Sequence, residues 1–103
     1  MIVHCVHLNL KDNADPGALA AIMDGLEALC GRLEGCETYQ HGPNRDFEAK
    51  SPDYPYGFVV QFRDAAALEQ YACHPEHRAL GARLVGLCKG GADGVIVFDL
   101  EVS

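Results

Sequence analysis

A chain of 103 residues with 15 acidic and 8 basic side chains carries a formal net charge of −7. That charge weighs against nucleic acid or an anionic membrane as partner, and no apolar run approaches the ~18 residues of a membrane span. One domain, residues 1–103, is the expectation at this length, burying somewhat over ~60% of the surface its unfolded chain exposes and leaving little room for a deep cavity.

Met1 leads straight into Ile2-Val3-His4-Cys5-Val6, without a basic segment or a small-residue cleavage signal, so the cytoplasm is the expected compartment. Residues 2–10 alternate: Ile2, His4, Val6, Leu8 and Leu10 share one face, and Val3, Cys5, His7 and Asn9 the other. This pattern predicts a strand with His4 on its more apolar side. Asp15 and Pro16 then supply a cap and a first-turn proline. Leu19, Ile22, Met23, Leu26, Leu29, Cys30 and Leu33 follow at helical spacing, which predicts a helix over 16–34 that stops at Gly35.

A second strand is expected from Cys36 to about Gly42. The segment 43–55 holds Pro43, Pro52 and Pro55 among polar residues and reads as a loop. Loops of that length are often functional, so a lid or a dimer arm is expected there. Tyr56, Phe58, Val60 and Phe62 alternate with Gly57, Val59, Gln61 and Arg63, giving a third strand.

Asp64 is placed to cap a short helix over 64–73. Pro75 removes a backbone donor and turns His74 away from helical geometry, so that helix should stop and a new one begin. In the new helix Pro75 takes the first position, His74 caps it, and Glu76 lies near the positive end of its dipole. His77 stands three residues before Leu80 and seven before Leu84, on the apolar face. The helix should run to about Cys88. Gly90, Gly91 and Gly94 mark the turn into a last strand, where Ile96, Phe98, Leu100 and Val102 face one way and Val95, Val97, Asp99 and Glu101 the other.

The order is β-α-β-β-α-β with the second helix broken at Pro75, an α+β, ferredoxin-like arrangement of two helices on one face of a four-stranded antiparallel sheet. His4, the Tyr56–Phe62 rings and Ile96-Phe98-Leu100 are expected beneath the helices. The other face would carry Val3, Cys5, Val59, Val95 and Val97, too apolar for open water, and sheet-to-sheet pairing of two copies would cover it.

Cys5, Cys30, Cys36, Cys73 and Cys88 are odd in number and scattered, with no Cys-x-x-Cys pair, so five free thiols are expected. Lys89-Gly90-Gly91-Ala92-Asp93-Gly94 follows a helix and enters a strand, the reverse of what phosphate cradling requires. RNA recognition would need stacking rings on the open face of the third strand, where this chain has Gly57 and Val59. His74 and His77 with a distant His4 or His7 make a poor metal set, since His74 is better used as a cap; no metal or cofactor is expected. Acid–base chemistry fits better. His77, His4, Tyr71 and Tyr56 converge between sheet and helices, where a buried imidazole can act as base and a phenol can donate to an oxyanion. Phe58, Leu84 and Ile96 would wall that pocket.

His4 in the first strand, Tyr56-Gly57 opening the third, the Tyr-x-x-His-Pro-x-His run at 71–77 and Val-Phe-Asp-Leu at 97–100 together resemble the stress-responsive dimeric α/β-barrel (Dabb) family. The likeness covers Ile2 to Val102. It implies the ferredoxin-like fold and homodimers in which two sheets close into a barrel. Some plant members are stress-induced oligomers without an assigned reaction. One is a polyketide cyclase performing an aldol closure, in which the residue matching His77 is the general base, the one matching Tyr71 is a partner for the substrate, and the one matching His4 lines the site. Related barrels house cofactor-free monooxygenases and lactone isomerases. A histidine common before the glycine of the third strand is Tyr56 here. Two readings follow: a small-molecule pocket built on His4, Tyr71 and His77, or a stress-associated oligomer in which those residues are structural.

Overall fold

Each helix starts where a side chain takes over an amide that the first turn leaves unpaired. In the computed structural model, which describes residues Met1–Ser103, Asp15 Oδ1 accepts from the Gly17 amide at 3.0 Å, and Pro16 opens helix α1 (Pro16–Arg32). Asp64 Oδ1 accepts from the Ala67 amide at 2.9 Å at the head of α2 (Ala65–Cys73). His74 Nδ1 accepts from the Glu76 amide at 3.1 Å, and Pro75 opens α3 (Pro75–Val85). The break at Pro75 is thus two helices sharing one residue as stop and cap.

Strands β1 (Ile2–Leu8), β2 (Cys36–Pro43), β3 (Tyr56–Phe62) and β4 (Val95–Glu101) form one antiparallel sheet in the order β2-β3-β1-β4. A short 3₁₀ turn, Gly91–Gly94, leads into β4. The order β-α-β-β-α-β and the antiparallel sheet are those of the α+β, ferredoxin-like fold. Gly35 makes the turn from α1 into β2 at φ +85°, a conformation that favours glycine, and a Cβ there would sit 2.7 Å from that of Ala67.

The helices cover the face carrying Ile2, Val6 and Leu8 of β1, Tyr39 of β2, and Phe58, Val60 and Phe62 of β3. These side chains bury together with Ile22, Met23, Leu26 and Leu29 of α1, Tyr71 of α2 and Leu84 of α3. Ion pairing between Arg32 and Glu76 joins the end of α1 to the first turn of α3.

Three expectations are corrected. First, β4 presents its faces the other way round. Asp99 pairs with His4, Val97 with Val6 and Val95 with Leu8, so these three share the helix side, and Ile96, Phe98 and Leu100 lie on the open face. Directly opposed residues in an antiparallel pair share a face, and the register leaves no other assignment. The open face therefore carries Val3, Cys5, His7, Val59, Ile96, Phe98 and Leu100, and Val95 and Val97 do not belong to it. Second, Cys30 and Cys36 form a disulfide, leaving Cys5, Cys73 and Cys88 free. The Gly35 turn folds the start of β2 back beside the last turn of α1, bringing the two Cα atoms to 5.3 Å, within disulfide reach. Third, β1 ends at Leu8, and Leu10 makes only an isolated bridge to Cys88.

Candidate functional site

Tyr71 is the hub of the site. It lies in the last turn of α2, fully buried, with its ring 5.1 Å from that of Phe62, 6.1 Å from His4 and 4.5 Å from His77 (centroid to centroid). Its hydroxyl is buried and has no hydrogen-bond partner in the protein. Nearly all buried polar groups are paired, and leaving one unpaired costs about 1–3 kcal/mol. Burial also drives the phenol's pKa well above its usual range, so it stays protonated and keeps a hydrogen to donate.

Two imidazoles pack against the Tyr71 ring, and both are held by one nitrogen only. His77 Nδ1 lies 3.1 Å from the Ala72 carbonyl oxygen. A carbonyl only accepts, so Nδ1 carries the proton and Nε2 keeps its lone pair. That carbonyl is available because Pro75 ends α2 and leaves its last carbonyls without helical donors. Burial lowers the pKa of His77; the Ala72 bond opposes this, and the neighbouring His4 and His74 add to it. Neutral His77 is thus the form present at pH 7.

His4 Nδ1 lies 2.5 Å from Asp99 Oδ1, on the neighbouring strand at the directly opposed position. This contact fixes the His4 ring through Nδ1 and leaves its Nε2 without a partner in the protein. The His4 side chain is 12% exposed and that of Asp99 43%, so the cluster reaches solvent at the β4 edge.

The structure brings together His4, Tyr71 and His77, and adds Asp99, which side-chain alternation alone puts on the outer face. A signal for Asp99 is present in the sequence all the same: a histidine on an apolar face needs an acceptor. Phe58 and Leu84 lie in the core between sheet and helices. Tyr56 is elsewhere. It opposes Leu8, four residues or roughly 13 Å along β1 from His4, and its hydroxyl meets His41 Nδ1 at 2.6 Å. Ile96 is corrected outright: it lines a groove on the opposite face of the sheet, with His7, Tyr54 and Phe98. No group of three His, Cys, Asp or Glu side chains is gathered closely enough to hold a metal ion.

No curated protein matches the sequence. The model of the stress responsive A/B barrel domain matches residues 2–102. The chain belongs to this family. Among solved structures, the Dabb chain is similar to a dimeric ferredoxin-like protein of unknown function from Jannaschia sp. CCS1, with 47% identity, 98% of each chain covered and a TM-score of 0.86. An Arabidopsis thaliana protein shares 21% identity, covering 100% of this chain and 96% of its own, at a TM-score of 0.84. A hydroxynitrile lyase from Passiflora edulis shares only 10% identity, yet covers 99% of this chain and 93% of its own at 0.82. At such low identity the last two speak for the fold alone.

Proposed function

We propose that this Dabb domain binds a small apolar or aromatic carbonyl compound beside Tyr71 and moves a proton on it. The observation that carries this reading is the buried, unpartnered hydroxyl of Tyr71, whose ring packs against two imidazoles with Nε2 atoms unbonded in the protein. In this scheme His77 Nε2 takes a proton from the carbon next to the carbonyl. The Tyr71 hydroxyl donates to the oxygen on which the negative charge gathers. His4, steadied by Asp99, orients the ligand, which enters at the β4 edge beside the exposed Val97. The outcome is aldol-like chemistry needing no cofactor. That the same fold carries a hydroxynitrile lyase in Passiflora edulis is compatible with this, although a fold does not dictate a reaction.

The reading includes a homodimer formed through the open face of the sheet, in line with the dimeric Jannaschia relative. A stress-associated, non-catalytic oligomer is the second reading. It is favoured by the bond from His77 to the Ala72 carbonyl, which also ties α2 to α3.

Titration of the wild type, His77→Ala and Tyr71→Phe with small aromatic and polyketide-like ligands separates the two. A working site predicts that Tyr71→Phe binds or turns over ligand about tenfold less well or worse with stability unchanged, and that His77→Ala loses ~10²-fold or more in turnover. Sharp destabilisation by His77→Ala, with no ligand bound by the wild type at millimolar concentration, would leave the structural reading standing instead.

A further inference from the structure

The loop from Asn44 to Pro55 has no helix or strand, yet it is braced from within. Asn44 Nδ2 donates to Ser51 Oγ at 2.8 Å and to the Tyr54 carbonyl at 2.9 Å. Asp46 Oδ1 accepts from the Lys50 and Ser51 amides, both at 2.9 Å, and from Ser51 Oγ at 3.0 Å. The Asn44 amide closes the base onto the Pro55 carbonyl at 2.8 Å. Two non-glycine residues, Asp46 and Ala49, hold left-handed backbone at φ 45° and 55°. Such conformations persist only where the surroundings over-determine them.

Between those two residues the loop presents Phe47, 90% exposed, with the Arg45 guanidinium 5.9 Å above its ring. A large apolar ring on a preordered loop has little entropy left to lose on docking, as an interface anchor requires. The base of the loop also walls the open face of the sheet. Lys50, Ser51, Pro52, Asp53 and Tyr54 line one side of a cavity of about 370 Å³ whose other side is His7, Ile96 and Phe98. Whatever docks on the sheet therefore meets the loop.

We infer that Phe47 is the anchor of an arm that each protomer lays against its partner, so that a second copy of this chain is its occupant. This rests on the homodimer read above and deepens it. Four strands of seven or eight residues present a face of about 23 by 19 Å, roughly 440 Å² in projection. A stable interface buries ~800 Å² per partner. Side-chain relief closes part of that gap, and the arm supplies the rest. Because the two-fold operation repeats every contact, each arm counts twice. The 47%-identical Jannaschia relative is dimeric, and that relation makes a second copy the occupant.

The chain has no tryptophan, so Phe47→Trp gives a single-site reporter. We expect its emission to be that of exposed indole at high dilution and to shift blue as concentration drives association. Phe47→Asp should weaken the dimer about tenfold or more by light scattering and sedimentation, with the circular dichroism of the monomer unchanged. A wild type that stays monomeric at micromolar concentration would overturn both the homodimer and the arm. A dimer in which the indole emission of Phe47→Trp stays solvent-like and Phe47→Asp leaves the affinity unchanged would overturn the arm alone.

Discussion

The helix side of the sheet carries two clusters of rings that look alike on paper and differ in one respect. Toward the β2 edge stand Tyr39, His41 and Tyr56; toward the β4 edge stand His4, Tyr71 and His77. In the first, every hydroxyl has a partner: Tyr39 donates to Met23 Sδ at 3.2 Å, and Tyr56 meets His41. In the second, the most deeply buried hydroxyl of all has none. Residue type and burial alone therefore do not distinguish the two clusters. The state of the hydrogen-bond partners does, because an orphaned group is one that a ligand or a water can satisfy.

The largest effect that bears on this contrast is removal of the hub. Tyr71→Ala deletes a fully buried ring and should cost about 3–5 kcal/mol in denaturant unfolding, a large share of the ~5–15 kcal/mol typical of a domain this size. A loss below ~1 kcal/mol would mean that the ring is not packed as described.

Next comes the strand under the paired cluster, which is tied to α1 by the Cys30–Cys36 disulfide. Closing so short a loop should contribute roughly 2 kcal/mol, lost in Cys36→Ser. Unfolding without reductant should expose three reactive thiols, and five after reduction; five without reductant would mean the bridge is absent.

Acidification should follow. Burial makes the folded state hold a proton on His77 less readily than the unfolded chain does, whose pKa is near the ordinary 6.5. The His77 contribution to stability is therefore complete above that value, and it is lost as pH falls below it toward the lower folded pKa. Proton NMR of the imidazole should find its midpoint below 6.5, and His77→Ala should flatten the stability profile in that window. Asp46 and Asp64, whose carboxyls are held below the ordinary range by backbone amides, lose their contributions only at more acid pH. An unchanged slope in His77→Ala would assign the acid sensitivity to other groups.

The smallest effect is the sharpest test of the contrast. Tyr71→Phe removes an oxygen that bonds to nothing in the protein, so stability should change by less than ~1 kcal/mol, and a gain is allowed. Tyr39→Phe removes one that is bonded and should cost on the order of 1 kcal/mol. Equal losses in the two variants would erase the distinction between the clusters.

Most of the fold is legible in local chemistry. The caps at Asp15, Asp64 and His74, the break at Pro75 and the helical stripe from Ile22 to Cys30 are short-range features, each decided within a few residues. The features that escape the sequence depend on distance in space. β4 is apolar on both faces, and the rule that larger apolar side chains point inward fails on an edge strand: Val97, Phe98 and Leu100 are all about half exposed. Only its register against β1 decides the matter, and with it the place of Asp99 and Ile96. The Cys30–Cys36 pairing likewise needs the Gly35 turn to be folded before the two thiols meet. His4, Tyr71 and His77 are legible because a histidine on an apolar face stands out in the pattern, and because the His-Pro-x-His run resembles the family's. Tyr56 shares their face of the sheet, which alternation shows, but not their end of it, which only the register of β3 against β1 reveals.

Pro75 does more than end a helix. By ending α2 it leaves the Ala72 carbonyl for His77 Nδ1, so the main chain, not a side chain, decides which ring nitrogen carries the hydrogen. A carboxylate in that role could be erased by one base change. A peptide carbonyl survives every substitution at its own position, and only a change that lets the helix run on through position 75 would reclaim it. The tautomer of His77 is thereby insulated from most point mutations, while the side chains around it remain free to vary.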